Sequence, residues 1–371
     1  MRTKGGKDLV CVTAPLHGRL SPKTLISMDT GIGDDRVVVS GKVRQAVVAQ
    51  LGRGTDRFVG GPGDDVIETD PRSPGGNGAL RDTTRDVVET GAGNDVVTSR
   101  GRDGSRDIVR LGAGNDRLEL KGGAMLSDGR VDGGAGNDSL DVTAASGSKL
   151  VGDLVINNVA GRGTRNGKPW LRQAAVEAFT LDVDGSLTFT GTGAAESLNT
   201  ESTLLHVDMA GGNDRVTVTL PKDTSVIVGG AGADQFLMHD VPTVDADLAT
   251  GVLTSGDSVS ALSGFETASV YAYTSATLAG SDLSELLTAV SCETTTITGG
   301  SGNDRLVSNE PDGCGFGGIP GPATINGGPG NDSLTGSGAD DTLTGGEGQD
   351  TAFGAGGFDI CDAESRASCE A

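Results

Sequence analysis

The pattern Gly-x-Gly-x-Asp, followed two places later by an apolar residue, recurs ten times in this chain. Its aspartates are Asp35, Asp56, Asp65, Asp95, Asp116, Asp138, Asp234, Asp304, Asp332 and Asp350. At this glycine and aspartate content, chance gives roughly one match. A unit this short cannot bury its single apolar residue alone. Only stacking of successive units produces a core, so the pattern restricts the chain to a solenoid.

Several copies are tandem at a nine-residue spacing. LGRGTDRFV (51–59) runs into GGPGDDVIE (60–68), and four units fill residues 327–362 without a gap. Two of those four are degenerate but keep the spacing, which adds Asp341 and Asp359. MAGGNDRVT (209–217) has Ala210 in place of a pattern glycine and adds Asp214. Elsewhere the spacing between aspartates is 20 to 22 residues. There the sequence reads as strand, plain turn, strand and glycine-Asp loop, one complete coil. RDVVETGAGND (85–95) and RDIVRLGAGND (106–116) are near copies of such a unit. Tandem pairs read as coils with a glycine-Asp loop at both ends.

Each position of the unit has a physical role. The glycines admit φ > 0 and close backbone approach. The residue two places after the Asp points inward from a minimal strand. The Asp then recurs at one height in each coil. Parallel strands lie about 4.8 Å apart, and calcium–oxygen distances are about 2.3–2.6 Å. One ion therefore fits between two stacked loops, with carbonyls completing an oxygen shell. Without metal, two carboxylates ~5 Å apart repel by roughly 1 kcal/mol in water and more at low dielectric. Metal binding is accordingly expected to be coupled to folding.

These nonapeptides resemble the G-G-x-G-x-D-x-U-x repeats of RTX, or haemolysin-type, calcium-binding proteins of secreted bacterial type. The resemblance implies an all-β fold, a right-handed parallel β-roll or β-helix solenoid. It also implies Ca²⁺ held between loops one coil apart by the sixth-position Asp and backbone carbonyls. Carried onto this chain, the implied ligands are Asp35, Asp56, Asp65, Asp95, Asp116, Asp138, Asp214, Asp234, Asp304, Asp332, Asp341, Asp350 and Asp359. The stacked pairs expected are Asp332 with Asp350 and Asp341 with Asp359. The expected single-loop columns are Asp35–Asp56, Asp95–Asp116–Asp138 and Asp214–Asp234. Segments 175–198 and 244–270 resemble the spacers that link RTX blocks. At the aligned position they carry Glu196 and Glu285, in loops that lack the pattern glycines, so neither is expected to be a strong site. The organisation expected is an RTX-like block over 1–141, degenerate spacer coils over 142–208, and a short block over 209–237. Degenerate coils over 238–298 and a C-terminal block with tail over 299–371 complete it.

Composition excludes several function classes. Lys+Arg of 29 against Asp+Glu of 51 gives a net charge of −22, which opposes binding to a nucleic-acid backbone and favours cations. No apolar run reaches the ~18 residues that argue a membrane span. The glycines lack a Gly-X-Y period. Gly-x-Gly-x-x-Gly invites a dinucleotide reading, but short strands follow these loops, not helices. His17, His206 and His239 are far apart and lack metal-ligand spacing. No catalytic site is expected. The rival readings are an adhesin or glycan-binding module, with specificity in the spacers, and a β-helix polysaccharide lyase.

Of the five cysteines, Cys361 and Cys369 lie close enough in sequence to staple the last coil. Cys292 and Cys314 flank one coil and the insertion 309–322, and Cys11 is left over. Disulfides fit an exported protein, extracellular or at the cell surface. Trp170, in RNGKPWLRQ, reads as a packing residue of a polar spacer loop. No signal peptide is visible; TKGGKDLVC (3–11) reads as a worn repeat with Gly6, Asp8 and Val10 in place, so the chain reads as starting inside the solenoid.

Overall fold

A computed structural model describes residues 1–3, 5–13, 25–69, 84–100, 106–121, 129–143, 149–219, 224–308 and 320–370. Every named element is a β-strand, and there is no helix among the described residues. The chain forms two compact units, Met1–Gly185 and Ser186–Ala371.

In the first unit the chain passes back and forth between two stacks of parallel strands. One stack runs Leu9–Val12, Arg36–Val39, Arg57–Val59, Val87–Ala92, Ile108–Ala113 and Arg130–Ala135. The other runs Ile26–Asp29, Val47–Gln50, Val66–Glu68, Val96–Arg100, Arg117–Lys121, Ser139–Thr143 and Ala178–Leu181. Register stacks like on like. Val37, Phe58, Val88, Val109 and Val131 pair in turn, and all are buried. Ile67, Val97, Leu118, Leu140 and Phe179 form the facing column, also buried. The residue two places after each repeat Asp is therefore the core, as the nine-residue reading requires.

The second unit repeats this construction. Leu198, Val216, Phe236, Ala268, Leu287, Leu306, Leu334 and Ala352 succeed one another in register along one stack. All are buried. In the facing stack Ile297, Ile325, Leu343 and Cys361 form the inward column of the C-terminal coils. A parallel sheet stacked in register in this way buries a thin stripe of small aliphatics, which suits a chain with only 3% aromatic residues.

The spacers differ from the degenerate coils expected of them, because each contains an antiparallel meander. Leu154–Asn157 pairs with Arg162–Arg165, which pairs back with Lys168–Ala174. In the second spacer Gln235–Asp247 pairs with Val252–Ser255, which pairs with Ser258–Ser263. The reason is turn chemistry. Asn166 and Gly167 both have φ > 0 (49° and 70°), the conformation of a two-residue hairpin turn. In the first turn of each meander an Asx side chain accepts a nearby N–H: Asn157 from Ala160 and Asp247 from Thr250. Trp170 lies on the third strand of the first meander and is buried, not in a loop as expected. Gly163 opposite leaves room for its indole.

Cys361 and Cys369 are disulfide-bonded, as their spacing suggested. Cys292 is also disulfide-bonded, and Cys11 is free and exposed. Cys314 and most of the insertion 309–322 lie outside the described residues, as does His17.

Candidate metal centres

Each glycine-Asp loop turns the chain from one strand stack to the other. In loop 327–332, Gly328 and Gly330 have φ of 108° and 149°. A Cβ on Gly330 would fall 1.4 Å from the Gly302 carbonyl oxygen of the preceding coil. Only glycine permits both the sign of φ and that approach.

The aspartates form ladders. The Oδ1 of each accepts the backbone N–H of the equivalent residue one coil earlier. In the first unit Asp8 donates to Asp35, Asp35 to Asp56, Asp56 to Asp86 and Asp86 to Asp107, at 2.7–3.0 Å. On the opposite side Asp65 donates to Asp95, Asp95 to Asp116, and Asp116 to Asp138, at 2.7–2.9 Å, and Asp138 ends on Glu177 Oε2 at 2.9 Å. In the second unit the order is Glu196–Asp214–Asp234–Glu266. Later coils give Glu285–Asp304–Asp332–Asp350–Glu364 and, on the other side, Asp341–Asp359–Glu370. All thirteen aspartates singled out in the sequence are on these ladders and are buried.

The second carboxylate oxygen has a different fate. Oδ2 of Asp35, Asp65, Asp95, Asp116, Asp138, Asp214, Asp234, Asp304, Asp332, Asp350 and Asp359 is buried without a hydrogen-bond partner. An orphaned carboxylate oxygen is costly, and where the loop leaves room beside it the oxygen fits a cation ligand.

The space it faces is defined by the first residue of the loop, five places before the Asp. Where that residue is glycine, Gly345 aside, an added Cβ would wedge between the loop's own carboxylate oxygen and a carbonyl of the next coil. For Gly299 the distances are 2.5 Å to Asp304 Oδ2 and 2.5 Å to the Gly327 oxygen; for Gly327, 2.3 Å to Asp332 Oδ2 and 2.5 Å to the Gly345 oxygen. Gly60 and Gly133 hold the same relation to Asp65 and Asp138. Each cradle thus collects one carboxylate oxygen and main-chain oxygens. No group of three acidic, His or Cys side chains that could hold a metal occurs among the described residues. The donor set is hard oxygen with little side-chain charge, which suits Ca²⁺ rather than Zn²⁺.

Four stretches of the chain, 51–70, 82–101, 296–310 and 324–361, match the RTX calcium-binding nonapeptide repeat. The chain carries RTX calcium-binding nonapeptide repeats. The matched stretches contain Asp56, Asp65, Asp95, Asp304, Asp332, Asp341, Asp350 and Asp359. No curated protein matches the chain.

Burial raises ten of the ladder aspartates. It pushes Asp65 up to about 7, with the neighbouring charge of Asp95 adding to the effect and the Val47 N–H opposing it. Burial likewise takes Asp116 and Asp214 to about 6, helped by the aspartates stacked beside them. Asp95, Asp138, Asp234, Asp304, Asp332, Asp341 and Asp359 are raised for the same first reason.

The loops of Glu196 and Glu285 lack the Gly-x-Gly pair, as the sequence reading had it, but they share other features of the aspartate loops. Their loops keep a first-position glycine, Gly191 and Gly280, and both side chains are buried on a ladder. Glu196 Oε2 accepts the Thr192 N–H at 2.7 Å, so this loop closes on itself. Ser337 treats Asp341 in the same way, its N–H donating to Oδ2 at 2.5 Å and its hydroxyl to Oδ1 at 2.9 Å. In Glu285 the Ser281 N–H takes only Oε1, and Oε2 stays without a partner.

Sequence reasoning missed Asp86, Asp107, Glu177, Glu266, Glu364 and Glu370 as ladder members. For Asp86 and Asp107 the signal was present, since Val88 and Val109 follow two places later. A second ladder was also missed. The residue before the Asp uses its side-chain oxygen to accept an N–H from the next coil: Asp64 from Asn94, Asn94 from Asn115, Asn115 from Asn137 and Asn303 from Asn331. The recurring Asn-Asp and Asp-Asp dipeptides were its sign.

Proposed function

We propose that this protein is an exported, non-catalytic calcium-binding solenoid that folds on meeting extracellular calcium and then serves as a rigid module. The observation that carries the reading is the repeated buried Oδ2 without a partner, facing a carbonyl of the next coil. In this reading Asp65, Asp138, Asp234, Asp304, Asp332, Asp350 and Asp359 hold calcium with the carbonyls beside their first-position glycines. Bound calcium supplies positive charge against a column of stacked carboxylates. The −22 net charge and the buried acids oppose compaction in its absence. The Cys361–Cys369 bridge supports an oxidising compartment. Circular dichroism during a calcium titration tests the proposal: β content should rise cooperatively from a largely disordered metal-free chain, and an unchanged spectrum would refute it.

A second reading, a saccharide-binding surface, is favoured by one groove of about 370 Å³ in the second unit. Arg215, Gln235, His239 and Tyr271 line it. Beside it Asp240, at a bulge with φ of 61°, accepts the Tyr273 hydroxyl at 2.9 Å and bonds His239 Nδ1 at 2.7 Å. The chain's two tyrosines both stand on the neighbouring strand, Thr267–Ala279. Rings with planar polar groups and a strained presenting residue suit a sugar ring. A glycan array, repeated with Tyr273→Ala, tests this reading, and a polygalacturonate cleavage assay tests the lyase alternative.

A further inference from the structure

The RTX loops of this chain divide by their first residue, and the division falls mostly between the two units. Ten loops open with glycine, among them those at Gly60, Gly133, Gly229, Gly299, Gly327 and Gly345. Five others do not. Loops 30–35 and 90–95 open with Thr30 and Thr90, loops 51–56 and 111–116 with Leu51 and Leu111, and loop 209–214 with Met209.

In the glycine loops, Gly345 aside, the missing Cβ keeps open a space bounded by the loop's own carboxylate and a carbonyl of the next coil. Gly60 shows this most simply: the carbonyl it faces is that of Thr90, at 1.9 Å from an added Cβ. The threonine loops place a side chain in that space. The Thr90 hydroxyl donates to the carbonyl of Leu111, the first residue of the next loop. The Thr30 hydroxyl donates to the carbonyl of Leu51, again the first residue of the next loop. At the chain's start the Thr3 hydroxyl donates in the same way to Thr30. The hydroxyl therefore takes the oxygen that the glycine loops leave facing the carboxylate. A cation seated there would lose that carbonyl as a ligand.

Hydroxyls do a related task at the top of the same column. Thr69 and Ser99 both donate to Asp107 Oδ2, at 3.1 and 2.8 Å. That carboxylate has its second oxygen satisfied by protein alone.

We propose that Thr30 and Thr90 keep calcium out of the loops of Asp35 and Asp95: their side chains fill the cradle and take its carbonyl, whereas open glycine-first loops such as those of Asp65 and Asp332 bind the ion. The proposal rests on the calcium reading above and goes beyond it. It makes the first-position residue the selector of which repeats bind. It also gives the first unit coils that hold no calcium, beside the open cradles of Asp65 and Asp138.

The test is to count calcium bound per full-length chain by equilibrium dialysis and elemental analysis, with folding checked by circular dichroism. Thr90→Gly removes both the hydroxyl and the Cβ, and it should add one ion relative to wild type. Thr90→Gly combined with Asp95→Asn should lose that gain. Thr90→Ser, which retains the hydroxyl, should leave the count as in wild type and guards against a general effect of substitution. Asp332→Asn serves as the reference and should remove one ion from a glycine-first loop. An unchanged count in Thr90→Gly, or a gain that survives Asp95→Asn, overturns the proposal. An unchanged count in Asp332→Asn overturns the calcium reading of the glycine loops instead. If Thr90→Gly fails to fold, the same pair of substitutions at Thr30 and Asp35 gives the answer, with the same gain expected.

Discussion

Asp332 donates its backbone N–H to Oδ1 of Asp350 at 2.8 Å, while its own Oδ1 accepts the N–H of Asp304 at 2.8 Å. Each carboxylate is thus tied by one oxygen to the coil before it. The other oxygen of Asp332 faces a cradle that also contains the carbonyl of Gly345 in the coil after it, and the other oxygen of Asp350 is buried without a hydrogen-bond partner. In the proposed calcium arrangement the two aspartates therefore serve separate ions. What couples them is the ladder, since moving either carboxylate disturbs the backbone of its neighbour.

Asp332→Ala and Asp350→Ala should each remove one calcium and one rung, costing about 1–3 kcal/mol of calcium-linked stability. Because the cradles are separate but joined through one hydrogen bond, the double variant should lose two ions, and the energies should not simply add. Calcium-saturated thermal melts with a calcium count check this. Loss of a single ion in the double variant would mean that the pair shares a site.

The metal-free chain should be more folded near pH 5 than near pH 7.5. Asp65 has its carboxyl raised to about 7, and Asp116 and Asp214 to about 6. A carboxyl raised in the fold contributes stability below its unfolded value of about 4, and that contribution is lost as pH rises through the folded value. Calcium should reverse the order, because it favours the ionised form. Melts of calcium-stripped protein across this range would show it, and a metal-free chain most stable at neutral pH would contradict it.

Magnesium should not replace calcium. The ladders offer carbonyls and one carboxylate oxygen per cradle, and Mg²⁺ requires tight octahedral geometry and retains its waters. Titration with millimolar Mg²⁺ should leave the circular dichroism of the stripped chain unchanged.

Gly330→Ala should abolish folding of the C-terminal coils even with calcium present. The residue has φ of 149°, and the new methyl would lie 1.4 Å from a backbone oxygen that cannot move aside. Limited proteolysis of the calcium-loaded variant should cut within 320–370, where the wild type resists. Equal resistance would show that the loop tolerates a side chain.

Breaking the Cys361–Cys369 bridge by Cys369→Ser should lower stability by about 2–3 kcal/mol, the loop-closure value for a short ring. Peptide mapping of secreted protein should find the pair linked. Free thiols at both positions would remove the support it gives to export.

The sequence alone determined the inward column and the placement of the thirteen aspartates, because both follow from a nine-residue period. Val37, Ile67, Leu118, Phe236 and Leu334 could be assigned to the core from their distance to an Asp, and all are buried. Tertiary structure decided which loops lie over one another. Asp86 and Asp107 extend the Asp35–Asp56 column, a relation hidden by segments of unequal length between the coils. It also decided which carboxylates end a ladder, since Glu177, Glu266 and Glu364 are reached only across an interruption in the repeat. The antiparallel meanders and the burial of Trp170 depended on hairpin turns such as Asn166–Gly167, which the solenoid reading passed over. The second oxygen of each cradle belongs to another coil's main chain. A carbonyl has no residue-type signature, so only stacking could reveal that Asp304 works with Gly327 and Asp332 with Gly345.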